Sequence, residues 1–173
     1  IERERLRILH TEASLGWGGQ EIRVLSEARG LIDRGHVVHL AIPGEARAYG
    51  EALKKKVPVT ALPIGRKNPR ALIARRRHLL APPVDVINVH SSTDSWLAAL
   101  ACATVRNAPP IVRTRHISAA IPNNIATRWL YGSATHRIVT TGEALRRQII
   151  EANRLPADKV LSVPTGIDLD RFI

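Results

Sequence analysis

Two histidines lie at positions where the side chains of an α/β sheet commonly do chemistry. His90 directly follows the apolar run 84–89, and His116 closely follows the run 111–114. Both runs are typical of buried strands, and the carboxyl ends of parallel strands form the ligand-binding edge of such sheets. An imidazole there can hydrogen-bond a ligand or exchange protons with it. A single histidine is more often an ordinary hydrogen-bonded residue, but two on one edge favour a functional site.

A glycine-rich segment, LGWGGQE at residues 15–21, lies between the first predicted strand and the first predicted helix. Gly16, Gly18 and Gly19 would allow close backbone approach to a ligand, and a helix start offers unpaired N–H groups with partial positive charge. This combination predicts a phosphate contact. The spacing matches neither the dinucleotide fingerprint G-x-G-x-x-G nor a P-loop. A tight turn without a ligand therefore explains the segment equally well.

The sequence lacks the motifs of nucleophilic catalysis and of zinc binding. The sequence has no Gly-x-Ser-x-Gly nucleophile motif. The single cysteine, Cys102, falls in a predicted helix, and no Cys-x-x-Cys or histidine pair has the spacing of zinc ligands, so we expect no metal site. Asp168 and Asp170 resemble a metal-binding Asp-x-Asp, but they follow the last predicted strand and are interpreted as a turn. His36 and His39 are assigned no role.

The elements that would position these residues alternate between strand and helix. Apolar runs predict strands at 6–10, 37–42, 59–62, 84–89, 111–114, 137–141 and 159–163. Helical spacing and stop signals predict helices at 20–34, 69–80, 94–105, 123–131 and 143–152, with Asp94 or Ser95 as the expected cap of the third. Short connections between alternating elements indicate an α/β fold: a Rossmann-like parallel sheet with helices on both faces.

The charge of the chain points to an anionic partner. Lys and Arg total 26 against 15 Asp and Glu, a net charge of +11, which is typical of proteins that bind nucleic acid, an anionic membrane surface or phosphorylated ligands. No apolar run approaches the roughly 18 residues needed to span a bilayer, and one cysteine excludes a disulfide within the chain. The absence of methionine leads us to expect a trimmed N-terminus.

The segment 69–80, PRALIARRRHLL, is predicted to form an amphipathic helix. Its apolar positions are Leu72, Ile73, Leu79 and Leu80, and its basic positions are Arg70, Arg75, Arg76 and Arg77. Further basic residues lie at 54–56 and 66–67. One hypothesis is that this helix docks on an anionic cytoplasmic leaflet. The equal alternative is a solvated helix whose leucines pack on the sheet.

Taken in order, these segments resemble the N-terminal domain of the retaining glycosyltransferases of family four (group 1), which have the GT-B architecture of two Rossmann-like domains facing a cleft. The resemblance rests on LGWGGQE, on VHSS around His90, on PPIVRTRH ending in His116, and on VPTGIDLDRF near the end. The last string is the most specific, because it is similar to the family's interdomain segment Pro-Asn-Gly-Ile/Val-Asp-x-x-x-Phe. Thr165 stands where that segment usually has Asn.

The resemblance implies an acceptor-side domain over 1–163 and the start of an interdomain linker over 164–173, with the donor-binding domain absent. Gly18 and Gly19 would lie near the donor diphosphate, His90 would help to bind donor or acceptor, and His116 would contact the donor sugar beside the reacting carbon. The whole enzyme would transfer a sugar from a nucleotide sugar with retention. It would need neither metal nor cofactor, since the nucleotide sugar is a substrate, and this fragment alone would be inactive.

More than one acceptor, and more than one class of protein, fit the sequence. A glycan, or a lipid-linked or lipopolysaccharide acceptor made in cell-envelope biosynthesis, is an expectation from charge alone. It would place the enzyme in the cytoplasm at the inner face of the plasma membrane. A basic Rossmann-like binding module for nucleic acid or a phosphorylated ligand is the second reading. Against it, aromatics make up 3% of the residues and no nucleic-acid motif is present, so we expect no nucleic-acid partner.

Overall fold

A seven-stranded parallel sheet organises the chain. The structure, a computed structural model, describes residues 4–64, 69–80 and 83–166, without the side chains at 71, 75, 79 and 80. The strands are β1 (Arg7–Thr11), β2 (Val37–Ile42), β3 (Val59–Ala61), β4 (Val86–Val89), β5 (Ile111–Arg115), β6 (Arg137–Thr140) and β7 (Val160–Ser162). They lie in the order β3-β2-β1-β4-β5-β6-β7, and each neighbouring pair is parallel.

Helices connect the strands on both faces. They are α1 (Gly19–Asp33), α2 (Arg47–Lys54), α3 (Pro69–Leu80), α4 (Ser92–Ala103), α5 (Ile125–Arg128) and α6 (Glu143–Asn153). A π-helix, Trp129–Ala134, continues α5, and a 3₁₀ turn, Ala157–Lys159, precedes β7. Helix α1 packs against β2 and α2, whereas α4 packs against α3, β4 and the π-helix. The predicted α/β fold, a Rossmann-like parallel sheet with helices on both faces, is confirmed.

The hydrophobic core has one part on each face of the sheet. Successive strand residues point to opposite faces, so Ile8 packs with Val24 of α1, while Leu9 packs with Ala98 of α4. All four side chains are buried. Burying a side chain of the size of Ile8 or Leu9 contributes about 1.5–3 kcal/mol, so this packing stabilises the strands that hold the site edge.

The helices differ from the prediction in two places. Helix α2 was not expected, because its buried residues are Ala48 and Ala52, which are too small to stand out as a periodic apolar pattern. The helix expected at 123–131 begins at Ile125 and changes to π geometry at Trp129. Asn124 caps its start by accepting a hydrogen bond from the backbone N–H of Thr127 at 2.9 Å.

The strand order places a topological switch in the middle of the sheet. From β1 the chain builds outward through β2 and β3, then returns to β4 on the other side of β1. At such a point the connections leave in opposite directions and open a crevice at the carboxyl ends of the strands. The carboxyl ends of β1, β4 and β5 therefore form the expected ligand edge.

Candidate active site

A chain of three imidazoles crosses the switch point. His10 Nδ1 lies 2.9 Å from His90 Nε2, and His90 Nδ1 lies 3.0 Å from His116 Nε2. The rings of His10 and His90 stack with centroids 5.2 Å apart, and those of His90 and His116 are 5.3 Å apart. His10 lies in β1, and the other two directly follow β4 and β5. The structure thus brings the two predicted histidines together and adds a third.

The three rings are neutral near pH 7. Burial lowers the pKa of His10 to about 4. Burial, with repulsion from Arg23 and Arg113, lowers the pKa of the half-buried His116 to about 4. The pKa of His90 is lowered well below its ordinary value, chiefly by burial and then by the neighbouring rings and arginines. An uncharged imidazole has one N–H and one lone pair, so each ring in the chain can donate on one side and accept on the other.

Hydrogen bonding orients His116. Its Nε2 is held by His90, so the proton positions on the three rings are linked. If His116 donates to His90, then Nδ1 of His116 is left as an acceptor; in the opposite arrangement that Nδ1 is a donor. In the described part of the chain Nδ1 of His116 has no protein partner, and at the far end the buried Nε2 of His10 has none either. The outer nitrogen of His116 is therefore left for a ligand.

Asp94 fixes the backbone around His90. Its carboxylate accepts hydrogen bonds from the N–H of His90 at 3.0 Å, the N–H of Ser91 at 2.8 Å and the hydroxyl of Thr11 at 2.7 Å. The first turn of α4 therefore ties the ends of β1 and β4 together. Asp94 or Ser95 was expected to cap this helix. The N-cap is instead Ser91, and Asp94 sits three residues later as the acidic partner of a capping box.

A cavity of about 260 Å³ lies beside this chain of histidines. Its walls are the start of α4, the end of β5, the loop 116–122 and the side chain of Tyr131. His90 and His116 both line it, and so does Gln20, which follows Gly19 at the start of α1. Its volume is below the range of about 300–1,000 Å³ for most small-molecule pockets, so it suits a single sugar or charged group.

Two buried arginines of β5 also line the cavity. Arg113 is 5% exposed and Arg115 is 7% exposed. Arg113 Nη1 donates to the carbonyl of Ser91 and the hydroxyl of Ser95. Arg115 Nη1 donates to the Tyr131 hydroxyl at 2.9 Å. Because the two arginines are two residues apart in β5, they lie on the same face of the strand and give this wall two positive charges.

The glycine segment has room for a ligand. Gly18 has φ −162° and ψ −160°, and its N–H donates to Glu21 at 2.8 Å. A Cβ on Gly19 would meet no atom within 4 Å, and one on Gly18 would be in ordinary contact at 3.7 Å. Neither glycine adopts a positive φ. The turn itself therefore does not require glycine at either position, which favours the ligand interpretation over the tight-turn interpretation.

Glu12 is a buried carboxyl at the inner end of this segment. It accepts hydrogen bonds from the N–H of Ser14 at 2.9 Å and from the amide of Gln20. Burial first, and then the nearby Asp94, raise its pKa to about 7. Glu12 thus links the end of β1 to the start of α1. Among the described residues, no group of three or more His, Cys, Asp or Glu side chains could hold a metal ion.

The sequence matches the family model described as Glycosyltransferase Family 4 over residues 17–171. This match covers Gly18 and Gly19, both predicted histidines and the wall of the cavity. The chain belongs to Glycosyltransferase Family 4. No curated protein matches the sequence significantly.

Solved GT-B glycosyltransferases share the fold of this family 4 chain. It is similar to Anabaena Alr3699/HepE in complex with UDP-glucose, with a TM-score of 0.76 and 16% identity over 96% of the chain. It is also similar to a glycosyltransferase from Rickettsia africae, with a TM-score of 0.79 and 18% identity over 98% of the chain. For Acinetobacter baumannii MurG the TM-score is 0.66, with 14% identity over 94% of the chain. The chain spans 45%, 45% and 47% of these proteins, so its fold is one Rossmann-like half of a GT-B architecture. None of these findings indicates a cofactor.

The start of the expected linker contacts α1 in this family 4 chain. Arg23, which is 8% exposed, donates to the Thr165 hydroxyl at 2.7 Å and to the Val163 carbonyl at 3.1 Å. The boundary between 163 and 164 stays a prediction, and residues 167–173, including Asp168 and Asp170, lie outside the described residues. Arg23 also repels a proton on His116. The same guanidinium therefore contacts the start of the expected linker and acts electrostatically on the site.

Helix α3 forms as predicted but lies apart from the cavity, packed on α4. Arg70, Arg76 and Arg77 are exposed, and Arg76 Nε donates to the Thr104 hydroxyl at 3.2 Å. The side chains of Arg75, Leu79 and Leu80 and the residues Arg66 and Lys67 lie outside the described part. In the part of the chain that is described, no helix is both long enough and apolar enough to cross a membrane.

Sequence reasoning missed several residues of this family 4 site. His10 is the last residue of a run interpreted only as a strand, and its partner His90 is 80 positions away. Arg113 was interpreted only as part of a strand, and Arg115, directly after that predicted strand, was assigned no role. Their spacing of two within an apolar run was an available signal, since it places two charges on one face of a central strand.

Proposed function

We propose that this chain is the acceptor-side half of an enzyme that transfers a sugar from a nucleotide sugar to an acceptor with retention. The observation that carries the proposal is the imidazole of His116, held by His90 at the carboxyl edge of the sheet in a family 4 glycosyltransferase chain. His116 also lines the cavity, where the acceptor would lie beside the donor sugar.

In this proposal His116 binds the donor sugar beside the reacting carbon. A neutral imidazole can accept from or donate to a sugar hydroxyl without adding charge to the site. His90 and His10 act as positioning residues, because their hydrogen bonds fix the ring of His116 and link its proton positions to theirs. Holding a contact in place before the substrate arrives lowers the entropic part of the barrier.

The donor diphosphate would approach the start of α1 at Gly18 and Gly19. The open space at Gly19 and the partial positive charge of a helix N-terminus suit a phosphate oxygen. HepE, which has the same fold in this half, is solved with UDP-glucose, and this supports a nucleotide sugar as donor. Most contacts to the nucleotide would come from a second, donor-binding half.

We also propose that α3 supports peripheral binding to an anionic membrane that presents the acceptor. Arg70, Arg76 and Arg77 are exposed beside Ile73, which is 52% exposed, whereas Leu72 packs on the core. This division lets one side of α3 pack on α4 and leaves basic and apolar groups for a surface. Each Lys or Arg near an anionic surface is worth about 1 kcal/mol.

A transfer assay tests the proposed function. A protein that contains this chain followed by a donor-binding half is incubated with UDP-, GDP- and ADP-sugars and candidate acceptors. Acceptor-dependent release of the nucleoside diphosphate, and a product whose anomeric configuration by NMR equals that of the donor, are expected. Inversion would refute retention. No transfer with any donor, together with tight, salt-sensitive binding to random DNA, would favour a basic binding module.

A further inference from the structure

The positive charge in the wall of the cavity is not matched by the protein. Arg115 donates to the Tyr131 hydroxyl and to the carbonyls of Ile117 and Ala119, all of which are neutral. Among the described residues, no carboxylate forms an ion pair with it, and its buried Nε has no hydrogen-bond partner. A guanidinium buried without a counter-charge is costly, so the site gains from an anion.

Arg113 is only weakly compensated. Its nearest carboxylate is Asp94 at 4.0 Å, and the oxygens of Asp94 already accept from Thr11, His90 and Ser91. The buried Nε of Arg113 also has no partner. Together with Arg115, two residues along the same face of β5, it leaves the cavity wall with more positive than negative charge.

The pKa values of the neighbouring histidines also reflect the positive charge of these arginines. Burial is the main reason that the pKa values of His90 and His116 are lowered; repulsion from Arg23 and Arg113 lowers them further, and Glu21 opposes this at His116. Glu21 is engaged by the N–H of Gly18. Glu12, the other nearby carboxyl, has a pKa raised to about 7 by burial and is therefore only partly charged at neutral pH.

We infer that the cavity binds an anionic substituent of the acceptor, a carboxylate or a phosphate, on Arg113 and Arg115. The inference rests on the proposed function, in which His116 contacts the donor sugar. A second ligand in the cavity beside His116 would then be the acceptor. A guanidinium matches both anions in shape and charge. The cavity of about 260 Å³ is small for a whole nucleotide sugar, and the expected place of the donor diphosphate is the start of α1. The acceptor is accordingly an acidic or phosphorylated sugar.

Direct binding to the chain tests this without any turnover. Calorimetric titrations compare glucuronate, glucose 6-phosphate, glucose and UDP. We expect at least one of the two anionic sugars to bind at least tenfold more tightly than glucose, as expected for one charge-assisted contact. Glucuronate alone would indicate a carboxylate acceptor, and glucose 6-phosphate alone a phosphate acceptor. Equal binding of glucose and both anionic sugars would overturn the inference, as would displacement of the bound anionic sugar by UDP.

Two variants locate the binding. Arg115→Gln should lose at least tenfold in affinity for the anionic sugar. Arg146→Gln is the matched control, because Arg146 pairs with Glu143 and with the carbonyls of Val160 and Ala157, away from the cavity. Equal affinity in wild type and Arg115→Gln would overturn the assignment to Arg115.

A spectroscopic readout covers the case in which Arg115→Gln fails to fold. In the wild-type chain the buried Nε–H groups of Arg113 and Arg115 should give slowly exchanging ¹⁵N signals that shift when the anionic sugar is added. Unchanged signals at saturating sugar would contradict the inference. Failure of the transfer assay would leave these binding results standing, so the two proposals fail separately.

Discussion

Replacing His10 by Asn tests the buried histidine chain through its effect on stability. Asn keeps a polar atom near the position of Nδ1, which contacts His90, and removes the group that titrates. The ordinary pKa of 6.5 is lowered to about 4 by burial of His10. As the pH falls through 6.5 the unfolded chain takes up a proton that the native chain does not, so native stability is lost from pH 6.5 down to about pH 4.

The size of the effect follows from these two pKa values. Below both of them the loss is roughly 3 kcal/mol, and between pH 7 and pH 5 it is about 2 kcal/mol. Glu12 acts in the opposite direction: its pKa is raised from 4.5 to about 7, so native stability rises as the pH falls through that range. The wild-type profile combines these effects with those of His90 and His116, whose pKa values are also lowered, so only a comparison with the variant isolates His10.

Urea unfolding at pH 7 and pH 5, followed by circular dichroism and tryptophan fluorescence, measures the effect. From pH 7 to pH 5, His10 should lower the free energy of unfolding of wild type by about 2 kcal/mol. His10→Asn should lack this loss. Val38→Ala is the control, since it opens a cavity in β2 at a buried residue and removes no titrating group. If His10→Asn and wild type change equally, His10 is not a buried neutral imidazole and the reasoning fails.

Three further predictions concern the glycine segment, the basic helix and one strained residue. Gly19→Val should leave the melting temperature within a few degrees of wild type, because a side chain there meets open space. In the two-domain enzyme it should raise the KM for the nucleotide sugar, and an unchanged KM would reduce the segment to a turn. Arg75/Arg76/Arg77→Ser should reduce co-sedimentation with anionic vesicles, in a salt-dependent way; equal binding by both proteins would remove the membrane role. Arg154→Gly should stabilise the fold by about 1 kcal/mol in urea unfolding, because Arg154 ends α6 at φ 51°, where glycine has no steric penalty; lower stability would show that the Arg154 side chain matters more than its backbone.

The sequence predicted the positions that depend on the strand pattern. Because parallel strands end at one edge, placing His90 and His116 just after two apolar runs was enough to bring them together, and the structure confirms that they meet. Gly18 and Gly19 were likewise placed correctly at the start of α1. Their contacts with a donor, and the roles of the histidines in catalysis, stay predictions.

What could not be predicted depends on packing between distant segments. His10 becomes a member of the site only because β4 returns beside β1, which no local pattern shows. Charged residues such as Arg113 and Arg115 are unusual inside a central strand, and their burial depends on Tyr131, Ser91 and the loop that covers them. Helix α2 was missed because its buried residues, Ala48 and Ala52, are small. A helix was predicted at 123–131, but its change to π geometry at Trp129 was not.

Sugar transfer by the two-domain enzyme, compared between wild type, His116→Ala and His36→Ala, tests the central claim most directly. His116 adjoins the cavity beside His90, whereas His36 lies before β2 and accepts a hydrogen bond from the Leu6 N–H. We predict that His116→Ala keeps its native circular dichroism spectrum and loses at least a hundredfold in kcat, about 2.7 kcal/mol of barrier. His36→Ala should transfer at the wild-type rate. Wild-type turnover in His116→Ala would contradict the placement of the reacting sugar beside this imidazole.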